Sequence, residues 1–272
     1  MTSAWAGFAL AAEAERTAIA VLEPAGDGLR LRELVLGASD AEIVRLVEAS
    51  TRTGVDVPFG WPEPFLATIL AHQHGRLEAP ESTGRDWRRD RAMRTTDYAV
   101  HARTGLWPLS VSTDRIGLPA LRWAGISARL DACGVDTARD GSGRVAEVYP
   151  AAALACWGFA PRGYKGRTGA ARRELLVQEL VRAWPWLDWG GQEVACRDSD
   201  NLLDAVLSAL VAREVDRGRT ARPGPDQVSF AGREGWVHLP GRIRPGTGTA
   251  SPSPPARRAP SPRRSTSPSP RR

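Results

Sequence analysis

The spacing of apolar residues changes period several times along the chain, and each change marks an element. Three short runs come first: Trp5–Ala12, Arg16–Glu23 and Leu29–Leu36. The last alternates apolar and polar residues, as a half-exposed strand does. Gly26-Asp27-Gly28 marks a turn before it. Three strands so close together predict an antiparallel meander. Ser39–Arg52 takes a helical period, with Ile43, Val44, Leu46 and Val47 as its stripe and Ser39 and Glu42 as a capping box. Thr53–Gly60 reads as a short strand, Glu63–His72 and Gly117–Ala132 as helices, and Gly143–Tyr149 as another strand. Pro150–Trp157, Ala170–Trp184 and Ser199–Asp216 read as helices, and Val228–Leu239 as a terminal hairpin. The order β-β-β-α-β-α-β-α predicts an α/β fold: a mixed sheet with helices on both faces, the order of the RNase H-like fold.

Composition sets the boundaries. From Pro245 onward the chain is Pro, Ser and Arg, which predicts a disordered basic tail over 245–272. Residues 1–244 form the expected domain, with a charged helical and loop insertion around 79–132. The whole chain carries 37 Lys+Arg against 31 Asp+Glu, but six Arg and no acid lie in the tail. The body is therefore neutral, and the high pI does not make it a basic nucleic-acid wrapper. The Arg pairs of the tail suit salt-sensitive phosphate contacts, or a tail with no specific partner. Lys165 is the only lysine. Three cysteines without a CxxC spacing exclude a thiolate zinc site and suit a reducing compartment. No apolar run is long enough for a membrane span, and no basic residue precedes the apolar start. A cytoplasmic, membrane-free protein is expected.

Several acids stand where burial would make them costly. Asp56 lies among Val55, Val57 and Phe59, and Glu147 inside Val145–Tyr149. Asp204 sits at the edge of the apolar face of the last long helix, one turn after Asp200. Plain alternatives exist: a turn before Pro58 for Asp56, a solvent-facing strand position for Glu147, and for Asp200 a first-turn acid favouring the helix dipole, an account that is weaker for Asp204 in the second turn. Together, carboxylates from two strands and a late helix can converge as an oxygen-rich site for Mg²⁺ or Mn²⁺. Arg94-Thr95-Thr96-Asp97 offers a phosphate clamp or a structural pair, and Gly163–Arg167 a basic turn around Lys165 or a solvated loop. Trp184, Trp186 and Trp189 cluster as a possible stacking platform. There is no P-loop, no HExxH and no GxSxG.

Gly54–Pro62 (GVDVPFGWP), Arg94–Asp97, Glu147–Ala152 (EVYPAA) with Trp157-Gly158, Tyr164-Lys165-Gly166, and Asp204-Ala205 occur in that order. In this the chain resembles the domain of unknown function 429 family over roughly residues 5–220, a family of predicted nucleases of RNase H-like fold. The resemblance implies a metal-dependent phosphodiester hydrolase with Asp56, Glu147 and Asp204 as catalytic residues. The same three with Asp200 would be the metal ligands, and Arg94, Asp97 and Lys165 would meet the substrate. One position departs: Ala9 stands where the family's first-strand Asp belongs. An impaired nuclease, or a non-catalytic nucleic-acid-binding protein on the same fold, is expected. A phosphotransferase is a third reading, without phosphate loops to support it.

Overall fold

The computed structural model describes residues 3–241, so the expected tail lies outside the described residues. The fold is mixed α/β. Strands β1 (Trp5–Ala9), β2 (Ala18–Ala25) and β3 (Gly28–Leu36) form the antiparallel meander. Helix α1 (Asp40–Ala49) starts on the Ser39–Glu42 capping box and carries the chain back to β4 (Arg52–Val55), which runs parallel to β1. Strand β5 (Val145–Glu147) adds parallel to β4, and β6 (Leu187–Asp188) adds parallel to β3 at the opposite edge. The sheet order is β5-β4-β1-β2-β3-β6.

Between β4 and β5 come α2 (Glu63–Gln73), α3 (Arg85–Ala92), α4 (Thr95–Thr104) and α5 (Gly117–Ala132). After β5 come α6 (Pro150–Trp157), α7 (Ala170–Ala183), α8 (Glu193–Asp198), α9 (Asp200–Asp216) and α10 (Val228–Glu234). Because strand side chains alternate, the sheet has two apolar faces. One, with Ala6, Phe8, Ile19, Val21 and Val55, packs on Ile43, Leu46 and Val47 of α1 and Trp123 and Ile126 of α5. The other, with Trp5, Ala9, Leu22 and Leu31, packs on α7 and α9.

Helix α9 lies closer to the sheet than side chains normally allow. Gly7 and Gly54 are register partners on β1 and β4. A Cβ on Gly7 would come within 2.1 Å of the Ala209 nitrogen, and one on Gly54 within 2.4 Å of the Ser208 carbonyl. Backbone thus rests on backbone, and Leu202–Glu214 are all buried. The sequence marks only one apolar side on this helix. Its other sides are covered because α6 and α8 also contact it.

Two expected elements differ. The hairpin expected at Val228–Leu239 is α10, ended by Gly235 at φ 95°, followed by a single extended stretch in which Val237 bridges Glu147. Seven residues are too short to display a helical period. The strand expected over Thr53–Gly60 ends at Val55, where the chain turns, with the Val57 N–H donating to the Val55 carbonyl at 3.0 Å. No helix among the described residues is long and apolar enough to cross a membrane.

Candidate functional site

Strand parity and register decide which acids meet. Gly7 and Gly54 face α9, so Ala9 and Asp56, two residues further along β1 and β4, follow on the same face. The Asp56 N–H donates to the Phe8 carbonyl at 2.9 Å, which fixes it beside the end of β1. Asp204 precedes Ala205, whose carbonyl lies against Gly7, so the close seating of α9 brings its carboxylate to the same end of the sheet. Glu147 is different. It pairs with Val55 in register, so it belongs to the face of Phe8 and Val55, opposite to Asp56.

The loop between α6 and α7 completes the Asp204 side. The Tyr164 hydroxyl donates to Asp204 Oδ1 at 2.7 Å, and Lys165 Nζ lies 2.8 Å from Oδ2. The loop is braced for this. Buried Arg173 donates to the carbonyls of Tyr164 and Gly166 at 2.8 and 3.1 Å, and Asp200 accepts from the Gly166 N–H at 3.1 Å. Asp200 therefore anchors the loop. Gly163 and Gly166 take positive φ, 83° and 70°, which lets the chain turn on both sides of Lys165.

Arg94 and Asp97 form a closed structure with Glu147. The guanidinium is 2% exposed. Its Nη2 donates to Asp97 Oδ1 at 2.9 Å and to Glu147 Oε1 at 2.7 Å, and its Nη1 donates to Glu147 Oε2 at 2.9 Å and to the Glu234 carbonyl at 3.1 Å. Its Nε donates to Asp97 Oδ2 at 3.3 Å, so all five N–H groups are engaged. Glu147 Oε2 also accepts from the Phe59 N–H at 3.0 Å. The pair reads as structure rather than as a phosphate clamp. Glu234 supports it unexpectedly. It accepts from the N–H of Glu63 at 2.9 Å and of Thr95 at 2.8 Å, the first residues of α2 and α4, and so caps both helices.

Asp56, Tyr149, Arg162 and Lys165 line one cavity of about 350 Å³, and Pro108, Leu109 and Ile116 form its apolar wall. Glu147 and Arg94, paired with one another, line it as well. Burial lifts the Asp56 carboxyl from 3.8 to about 7; Lys165 pulls it down, while Asp204 and Glu147 push it further up. Burial also raises Asp204 against the pull of Lys165 and Tyr164. For Lys165, burial works downward, but Asp204 and Asp56 outweigh it and hold the ammonium protonated. Its side chain is still 48% exposed, so a ligand can reach it. Tyr149 is raised by burial and by Asp56.

A raised folded pKa means that ionising Asp56 costs stability. That cost is absent below pH 3.8, grows as the pH climbs, and is complete above about pH 7. Asp56→Asn is thus expected to match wild type at the acid end. Above neutrality it should be more stable by about 1–3 kcal/mol, discounted for partial exposure. Melting curves across this range check it; a constant gap at all pH values would show that Asp56 does not titrate there.

The donor set can be compared with what a divalent ion needs. Both Asp204 oxygens carry a partner, both Glu147 oxygens face Arg94, and Asp56 alone remains. No group of three His, Cys, Asp or Glu among the described residues is placed to hold an ion. As arranged, with an ammonium on Asp204 and a guanidinium on Glu147, the residues do not fit Mg²⁺ or Mn²⁺. Nor do the tryptophans form an open platform: Trp184 and Trp189 are buried, and Trp184 packs edge-on against Trp157 at 5.4 Å.

Tyr149, Arg162 and Glu234 are the participants that sequence reasoning missed. Tyr149 was visible beside Glu147, but nothing in the sequence marks the other two. Among known proteins, no curated protein and no solved structure matches the chain. A family model does, described as Protein of unknown function (DUF429), over residues 13–228. That span covers most of the chain and every candidate side chain except Ala9 and Glu234. The chain belongs to the DUF429 family.

Proposed function

We propose that the chain is a nuclease-like protein of RNase H-like fold whose cavity takes a phosphodiester of a nucleic-acid strand and hydrolyses it. The sheet order supports the fold: a meander, with β4 and β5 added in parallel beyond β1. One observation carries the function. Asp56, Asp204 and Lys165 meet at the ends of β1 and β4, beside a cavity of ligand size. Lys165 and Arg162 supply positive contacts for a phosphate. Asp56, with a pKa near 7, suits proton transfer at neutral pH. Water oxygen would bond to phosphorus as the ester P–O bond breaks. Asp56 would take the water proton, and the departing alkoxide would take one from solvent. No step runs through a metal ion.

A second reading is a nucleic-acid-binding protein without catalysis. Ala9 favours it, because the end of β1 carries no carboxylate, and so does the engagement of Glu147 by Arg94. Labelled single- and double-stranded DNA and RNA separate the two. Cleavage that rises through about pH 7 and disappears in Asp56→Asn is expected. Salt-sensitive binding without cleavage would select the second reading. Neither binding nor cleavage would end both.

A further inference from the structure

We propose that Lys165 is the resident cation of this site: its ammonium is held on Asp204, in the cavity that Asp56 also lines, and takes the place of a divalent ion, so that lysine and metal exclude one another. The chain builds 37 basic positions and uses lysine at one of them, this one. An arginine would present a flat fork that suits paired acceptors. A lysine presents a compact point charge with freely turning donors, which is closer to what an ion offers.

The contacts agree. Lys165 Nζ is 2.8 Å from Asp204 Oδ2, on a carboxylate whose side chain is 4% exposed. A charge so buried needs a partner, and Lys165 is its only cationic one among the described residues. Tyr164 occupies the other Asp204 oxygen. Glu147 is turned to Arg94 and Phe59 on the opposite strand face, so it adds nothing for an ion. The supports are built as well. Arg173 grips the carbonyls on both sides of Lys165, and Asp200 holds the Gly166 N–H. A loop that merely bordered a metal site would not require its lysine to be held against the ligand.

The inference deepens the reading above for the same cavity. Its test reads ion binding and not cleavage, so either can fail without the other. Mn²⁺ is titrated by calorimetry into the full chain, as wild type, Asp56→Asn, Lys165→Ala, Lys165→Arg and Lys165→Ala/Asp56→Asn. Wild type and Lys165→Arg are expected to give no saturable heat. Lys165→Ala, which leaves Asp56 and Asp204 without their cation, is expected to bind one Mn²⁺ about tenfold tighter or more, and the double variant to lose that gain. Saturable binding by wild type that Asp56→Asn abolishes would overturn the proposal. So would a folded Lys165→Ala that binds no better than wild type. Lys165→Met, which keeps the packing of the stem, takes the place of Lys165→Ala if the smaller variant does not fold, and the same outcomes apply.

Discussion

Arg94→Met is expected to lower the melting temperature by roughly 6–20 °C, the loss of about 3–5 kcal/mol from a domain of this size. The substitution keeps most of the volume and removes the charge. It leaves Asp97, 0% exposed, and Glu147, 2% exposed, as buried carboxylates that have lost their shared counter-ion. It also frees the Glu234 carbonyl, so the link from α10 to α4 is weakened. Asp97→Asn and Glu147→Gln in the same background should recover part of the loss, because they remove the unpaired charges. Thermal melts of the three proteins check this. A single variant that melts within a degree or two of wild type but no longer binds nucleic acid would instead make Arg94 a substrate residue.

Gly7→Ala is expected to cost about 3 kcal/mol or more, or at least roughly 6–12 °C. The added methyl would meet the Ala209 nitrogen at 2.1 Å and the Ala205 carbonyl at 2.2 Å. Both are backbone atoms of a helix buried along thirteen consecutive residues, so no flexible side chain can yield. The helix must lift or tilt, and Asp204 moves with it. The loss of stability should therefore come with weaker burial of Asp56 and weaker repulsion from Asp204, seen as a fall in the pKa of Asp56 toward the ordinary carboxylate range. Gly125→Ala, exposed inside α5 with nothing within 4 Å of its Cβ, is the control and should be stabilised by about 0.5–1 kcal/mol, as helix propensity favours Ala. Equal melting temperatures for Gly7→Ala and wild type would mean that α9 does not rest on the sheet in this way.

How far the fold and the site could be read from the sequence depended on whether the signal was local. Helix α1 was legible because Ser39 and Glu42 announce its start and Ile43, Leu46 and Val47 its buried side. The meander was legible because β2 and β3 are separated by a two-residue turn. The role of Glu147 was not, since it depends on register. Val55 aligns with Glu147 and Gly54 with Ala146, which sends Glu147 to the face away from Asp56. A shift of one residue would have sent it the other way. Arg94 was visible as a candidate pair with Asp97 three residues away, but Glu147 and Glu234, its further partners, lie 53 and 140 residues off. The close seating of α9 was hidden for a similar reason: Gly7 and Gly54 look like ordinary strand glycines until they are found side by side.

The seating of α9 also dictates the order in which this chain can fold during synthesis. The β1–β3 meander is complete by residue 36, but Trp5, Leu22 and Leu31 are covered by a helix that ends at Asp216. The Trp5 indole N–H donates to Asp216 itself, 211 residues later. At roughly 5–20 residues per second on the ribosome, that apolar face stands uncovered for about ten to forty seconds. For that interval the nascent sheet is a half-built structure, with α1 and later α5 arriving on one face and the other still open. A chaperone that holds the N-terminal third, or a lower growth temperature during expression, is expected to act on this window and not on the finished fold.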